Sequence, residues 1–371
     1  MMKYTIRILA ALLALLMCTG ALVACSGDED ETGEKVTLPG ESGTGDETDT
    51  DETVESKDFS TVEDIELPLP EVGAFTSNDP AVTLSQVAGP ASSECKSDAD
   101  TKKQPADIGK GALVLVNPSH KLVYDPKDDV IELYANRGKL ESGANTYKLS
   151  NIYLKLNEAA LKAFNAWMAS AYSQTNGYIL VSDAFRTFEE QQDIFDKALN
   201  TYGADKVLQY AMKPNNSDFR AGYSVYLKYM PADKNTYALS AKEAATALAA
   251  INASAAQYGF VVRYPKGSSA VTGVSDTAMP YQYRYVGAAH ATVMTACGLT
   301  LEEYIAGVKN YTSDNRLKVT TANADYHVFY VPAVADNNTT ILIPKNADSY
   351  DISGNNIDGF IVSVTFNKTN N

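Results

Sequence analysis

The sequence is short of histidine, cysteine and positive charge. Its 371 residues include three histidines, at 120, 290 and 327. No two of them stand at a metal-ligand spacing such as i, i+4, so no self-contained metal motif is present. Four cysteines are too few for a disulfide-dense scaffold. With 46 Asp and Glu against 31 Lys and Arg, the chain is too acidic overall for a nucleic-acid binder. There is no Gly-x-Ser-x-Gly, which removes support for serine hydrolase chemistry. Long apolar runs are also scarce: the one that stands out is Ile8 to Ala24.

That run follows Lys3 and Arg7 and ends in Leu22-Val23-Ala24-Cys25. It resembles a bacterial lipoprotein signal peptide with its lipobox. The resemblance implies removal of residues 1–24, lipid on the Cys25 sulfur and a mature protein tethered outside the cytoplasm on the cell membrane. An uncleaved signal anchor is the other reading, since the run is at the lower edge of a membrane span. Residues 28–66 hold 16 carboxylates and two lysines, while the rest of the chain beyond the leader is close to neutral. Such a segment cannot bury enough apolar surface to offset its ordering entropy, so residues 25–66 are expected to be a disordered acidic tether. As a coil of about 40 residues it would span roughly 35 Å.

Residues 67–110 contain five prolines and no lasting periodicity, which predicts an irregular linker with the folded part starting near Gly111. Cys95 lies in this linker and Cys297 far beyond it. Export permits a bridge between them, but two cysteines alone leave open whether they meet.

From Gly111 the pattern alternates between strands and helices, an α+β domain. Ala112 to Val116 reads as a short apolar strand. Residues 157–172 put Leu161, Phe164, Trp167, Met168 and Tyr172 on one helical face, which predicts a core helix. An Asn176-Gly177 turn leads into a buried strand, Tyr178 to Val181. Residues 189–200 read as a helix. Ser240 with Glu243 and Thr300 with Glu303 read as capping boxes ahead of two further helices, the first ending near Gly259 before a strand from Phe260 to Tyr264. Residues 309–371 read as a small C-terminal β module, with strands near 326–331, 340–343 and 359–366 and with His327 in a structural role.

Four segments occur in an order that carries a family resemblance. They are Leu113-Val114-Leu115-Val116-Asn117, Ser182 to Gln191 with its Asp-Ala-Phe-Arg-Thr-Phe centre, Ala221-Gly222-Tyr223-Ser224, and Tyr258 to Gly267 followed by Tyr283-Arg284-Tyr285-Val286-Gly287. Together they span about residues 111–308 and resemble VanY-type D-alanyl-D-alanine carboxypeptidases. The resemblance implies an antiparallel sheet packed with helices, and activity on peptidoglycan stem peptides. It also implies zinc held by a His-Asp-His set with an open position for water, and a glutamate as base.

Laid onto this sequence, the family's first histidine falls at Tyr226 and its aspartate at Asp233; a shortened loop that puts Tyr226 in the aspartate's place is equally compatible. The catalytic glutamate falls at Met279, the tryptophan at Tyr281 and the last histidine at Gln282. A thioether takes no proton at neutral pH, and an amide is a poor zinc ligand beside imidazole. The expectation is therefore a domain without catalysis and without bound zinc. An active carboxypeptidase with an atypical metal site is the alternative.

What remains of the family pattern concerns substrate. Arg186 matches the arginine suited to grip a terminal carboxylate with a planar fork, with a scaffold salt bridge as its other reading. Gln191 and Ser224 match neighbouring polar positions. Tyr226, Tyr229, Tyr281, Tyr283 and Tyr285 read either as a stacking platform or as core packing. The implied partner is peptidoglycan stem peptide or another wall component.

Overall fold

The computed structural model describes residues 62–230, 242–275 and 279–368. Cys25 and the leader, nearly all of the acidic tether, Ser240 and Asp233 lie outside the described residues. The described residues belong to one compact unit, Ser60–Asn371.

Up to Glu132 the regular structure is short: β1 (Thr83–Ala88), β2 (Cys95–Lys96), β3 (Lys102–Lys103) and β4 (Val130–Glu132). The middle of the chain supplies β5 (Lys148–Leu149), β6 (Lys155–Asn157), α1 (Glu158–Ser170), α2 (Tyr172–Thr175), β7 (Ile179–Asp183), α3 (Phe188–Tyr202) and β8 (Ser224–Tyr229). Next come α4 (Lys242–Ala255), β9 (Phe260–Val262), α5 (Ser269–Thr272), β10 (Gln282–Tyr285), α6 (Ala288–Cys297) and α7 (Leu301–Val308). The C-terminal strands are β11 (Asn315–Thr320), β12 (Ala324–Pro332), β13 (Thr339–Thr340), β14 (Ile343–Pro344), β15 (Ser349–Gly354) and β16 (Gly359–Asn367).

Two five-stranded sheets organise this unit, in the orders β5-β7-β8-β10-β9 and β1-β11-β12-β16-β15. Helix α1 forms where expected because Asn157 caps it, accepting from the Ala159 N–H at 3.0 Å, and because its apolar spacing makes one stripe. That stripe buries Leu161, Phe164, Trp167 and Met168 against the first sheet, with Trp167 stacked on Phe260 at 4.9 Å and edge-on to Tyr283 at 5.3 Å. Asn176 and Gly177 turn the chain into β7 with φ of 50° and 68°, the left-handed region that this pair tolerates. The second sheet is apolar on both faces. Leu317, Val319, Val328 and Ile361 pack with α6 and α7, and Phe329, Phe360, Val362 and Val364 form a separate cluster.

Several expectations are corrected. Ala112–Val116 is buried but is not a strand. The carbonyls of Ala112 and Val114 accept from the Arg284 guanidinium at 3.0 and 3.1 Å, and that of Val116 from Arg263 at 3.2 Å, so side chains do the work of a strand partner. The stretch read as linker is part of the folded unit: β1 pairs antiparallel with β11, β2 with β14 and β3 with β13. Folding also starts earlier than Gly111 and overlaps the end of the tether. Val62 is buried beside Phe195 and Leu199, and Phe75 lies stacked on Tyr304 at 5.7 Å. Gly307 makes room for it, since a Cβ there would come within 2.4 Å of the Phe75 ring. The C-terminal β module gains strands β11 and β15, which the sequence reading missed. Cys95 and Cys297 are both free. The Thr300 capping box is present, with the Glu303 N–H donating to Thr300 Oγ1 at 3.1 Å.

Candidate functional site

The register of the first sheet lines up three residues. Asp183 on β7 faces Tyr226 on β8, and Tyr226 faces Gln282 on β10; Ser224 and Arg284 form the next pair along. Residues paired across antiparallel strands share a face, so Tyr226 and Gln282, the positions expected from the resemblance for zinc ligands, sit in one row with Asp183.

Below that row is a buried charge cluster centred on Asp218, which lies in the tight turn Asp218–Ala221 just ahead of β8. Its Oδ1 accepts from Arg284 Nη1 at 2.7 Å and from Arg263 Nε at 3.1 Å. Its Oδ2 accepts from Gln282 Nε2 at 3.0 Å and from the Ser224 hydroxyl. Arg263 also forks onto Glu302, at 2.8 and 3.0 Å, and Asn117 donates to Glu302 at 3.1 Å. Two guanidinium groups thus meet two carboxylates, all four side chains at most 2 % exposed. Burial pushes the Asp218 carboxyl up, but Arg284 and Arg263, helped by Ser224, outweigh it and hold the carboxyl below its ordinary value.

Arg186 sits at the end of β7, its side chain 16 % exposed. Its Nε and Nη2 donate to the Asp183 carboxylate and its Nη1 donates to Gln191 Oε1 at 2.7 Å. The guanidinium lies 4.4 Å from the centre of the Phe219 ring. Gln191 is buried and fixed by a 2.8 Å bond to the Met212 carbonyl. Both readings of Arg186 therefore have a physical basis: it is salt-bridged, and it remains at the surface with one hydrogen on each of Nη1 and Nη2 beyond those bonds.

Met279 precedes β10, where its carbonyl accepts from the Gln282 N–H at 3.3 Å, and it is half-buried. The tyrosines divide. Tyr283 and Tyr229 are core residues, Tyr281 and Tyr285 are partly buried against the same core, and Tyr226 is half-buried. Core packing thus accounts for most of the expected platform.

The donor set at these positions does not suit zinc. Among the described residues at these positions, the phenol of Tyr226, the amide of Gln282 and the thioether of Met279 offer no imidazole or carboxylate, and two guanidinium charges lie next to Gln282. Among the described residues no three His, Cys, Asp or Glu side chains come together as a metal group. The histidines are elsewhere. His290 is buried on α6, where its Nδ1 pairs with the Tyr304 hydroxyl at 2.5 Å and burial pushes its pKa down to about 3. His327 packs on Phe366 and His120 bonds Asn117.

Sequence reasoning missed Asp218, Arg263, Arg284 and Glu302 as a working group. The usable signal was a charged residue inside an otherwise apolar strand at Arg263 and Arg284, which demands a buried counter-charge.

Comparison with known proteins gives the following likenesses. A family model described as "VanY: D-alanyl-D-alanine carboxypeptidase" matches residues 153–288. A "D-alanyl-D-alanine carboxypeptidase" of Enterococcus faecium is 31% identical over 260 residues, covering 69% of this chain and 76% of its own length. The vancomycin resistance D,D-dipeptidase VanXYg, solved in complex with a D-Ala-D-Ala phosphinate analog, has a TM-score of 0.59 at 24% identity, over 77% of this chain and 99% of that one, which shows a shared fold. A VanY D,D-pentapeptidase variant solved in complex with Zn(II) covers 52% of this chain and 98% of its own, with a TM-score of 0.39 at 23% identity.

Proposed function

The chain belongs to the VanY D-alanyl-D-alanine carboxypeptidase family, and from that premise we propose that it is a non-hydrolytic envelope protein that binds peptidoglycan stem peptide. The reading rests above all on one observation: Gln282, at the family's zinc-histidine position, spends its amide hydrogen bond on Asp218, which is itself held by two buried arginines. Met279, at the position of the family's base, cannot take a proton from water.

The same site keeps features suited to holding a peptide end. Arg186 offers a planar fork at the surface, Gln191 fixes its orientation, and Phe219 backs it with an aromatic face. An incoming carboxylate competes with Asp183 for the guanidinium, which favours modest affinity. The leader with Cys25 supports a lipid-anchored, extracytoplasmic location for this activity.

The test joins three measurements on the full-length chain: zinc by elemental analysis, release of D-alanine from a D-Ala-D-Ala peptide, and calorimetric titration with that peptide. The expected outcome is less than about 0.1 zinc per chain, no release, and binding that weakens about tenfold in Arg186→Ala. One zinc per chain with D-alanine release would overturn the proposal. Binding equal in wild type and Arg186→Ala would remove Arg186 from it.

A further inference from the structure

We infer that a second binding site, at the opposite end of β7 from Arg186, takes an acidic saccharide: a sugar ring carrying a carboxylate or a phosphate. Strand β7 has five residues, so its two ends lie about 13 Å apart. At the far end, a cavity of about 500 Å³ is lined by Arg137, Asn145, Lys148, Asn176 and Tyr178 among others, with no carboxylate among its described lining residues. Two cations and two side-chain amides facing one space are an anion-recognition set.

Arg137 supplies the strongest pointer. Its Nε hydrogen is shut off from solvent and finds no acceptor among the described residues. Native structures rarely leave a buried donor unmet, because the unmet group keeps its full desolvation cost. An oxyanion lying along the Nε edge of this guanidinium, once a small shift opens that edge to the cavity, would meet the unpaired donor. Lys148 is held ready by a 2.9 Å bond to the Met230 carbonyl and lies 5.1 Å over the Tyr178 ring, which fixes the ammonium while leaving further N–H donors for a ligand.

The sugar ring comes from what lies at the rim. Arg137 stacks 5.7 Å from the centre of the Tyr134 ring, and Tyr134 is 56 % exposed. An exposed tyrosine against a cavity-lining arginine suits a ligand with a flat, C–H-bearing face and an anionic substituent.

Calorimetry on the full-length chain tests this with N-acetylmuramic acid, N-acetylglucosamine 6-phosphate and neutral N-acetylglucosamine. The expected result is binding of one or both acidic sugars at least about tenfold tighter than the neutral one, weakened about tenfold by Arg137→Gln and unchanged by Arg186→Ala. Carboxylate-only or phosphate-only binding would name the source of the anion. Lys148→Met, measured alongside with its melting curve, carries the same expectation if Arg137→Gln does not fold. No binding of either acidic sugar at 10 mM (about the limit of a useful site), equal binding of the neutral sugar, or affinity unchanged in the folded cavity variants would overturn the inference. Because Arg186 is not in this cavity, such a failure leaves the stem-peptide reading standing.

Discussion

The two five-stranded sheets each pack one face on an apolar cluster and differ in what lies against the other. The sheet containing β7, β8 and β10 sets a cluster of two arginines, two carboxylates, a glutamine and a serine against its polar face, each group held by the others. The sheet containing β12 and β16 packs an apolar cluster on each face, with Arg316, Ser353 and Ser363 as buried polar exceptions. A polar interior tolerates no missing member, because each group's partner is then stranded without solvent. An apolar interior loses only contacts and volume. The charge cluster is complete among the described residues, with every charged group matched by another, so it supports the fold by itself.

Asp218→Ala should break the contrast most sharply. It strips Arg284 of its carboxylate partner and leaves Arg263 only Glu302, so a loss of about 4 kcal/mol is expected in denaturant unfolding. Val328→Ala, in an apolar cluster of the second sheet, should cost about 2–3 kcal/mol. If the two losses were equal, or their order reversed, the contrast between the sheets would be wrong.

The smallest effect comes from α6, which packs against β9 of one sheet and β12 and β16 of the other. Burial holds the His290 pKa near 3, so the native state stays unprotonated there while the unfolded chain takes up a proton below its ordinary value. The native pKa is the lower one; stability is therefore fully present above about pH 6.5 and falls as pH drops toward 3, by about 1.4 kcal/mol per pH unit. Comparison of wild type with His290→Gln at pH 7 and pH 5 should show about 2 kcal/mol of acid sensitivity lost in the variant. Parallel pH profiles would show that His290 is already charged in the fold.

Much of the fold was legible because its signals are local. Asn157, Thr300 and the Asn176-Gly177 turn act within a few residues of themselves, and the helices and the strand they predict are present. What the sequence hid depends on distant partners. Strand β1 has mostly exposed residues and no alternation, and it exists because β11, more than two hundred residues later, offers it a ladder. Ala112–Val116 has the composition of a strand but is matched by guanidinium donors instead. The candidate site divides in the same way. The expectation that Met279 and Gln282 stand at the family's glutamate and histidine positions came from the motif, whereas the bond from Gln282 to Asp218 needs the register that sets β8 beside β10.

The route of residues 62–88 has a mechanical meaning. Val62 is pinned through its carbonyl to Lys213, Ile65 to Ser119, Phe75 through its N–H to Tyr311, Asn78 to the end of α6, and only then does β1 enter its sheet. A pull from the N-terminal side meets these fastenings one after another. Each is a small, local attachment made of a few contacts, so tension would be relieved by peeling the strap step by step and would reach the ladder between β1 and β11 last. The strap therefore acts as a shock absorber in series with the folded unit, taking up extra length under load before either sheet is strained.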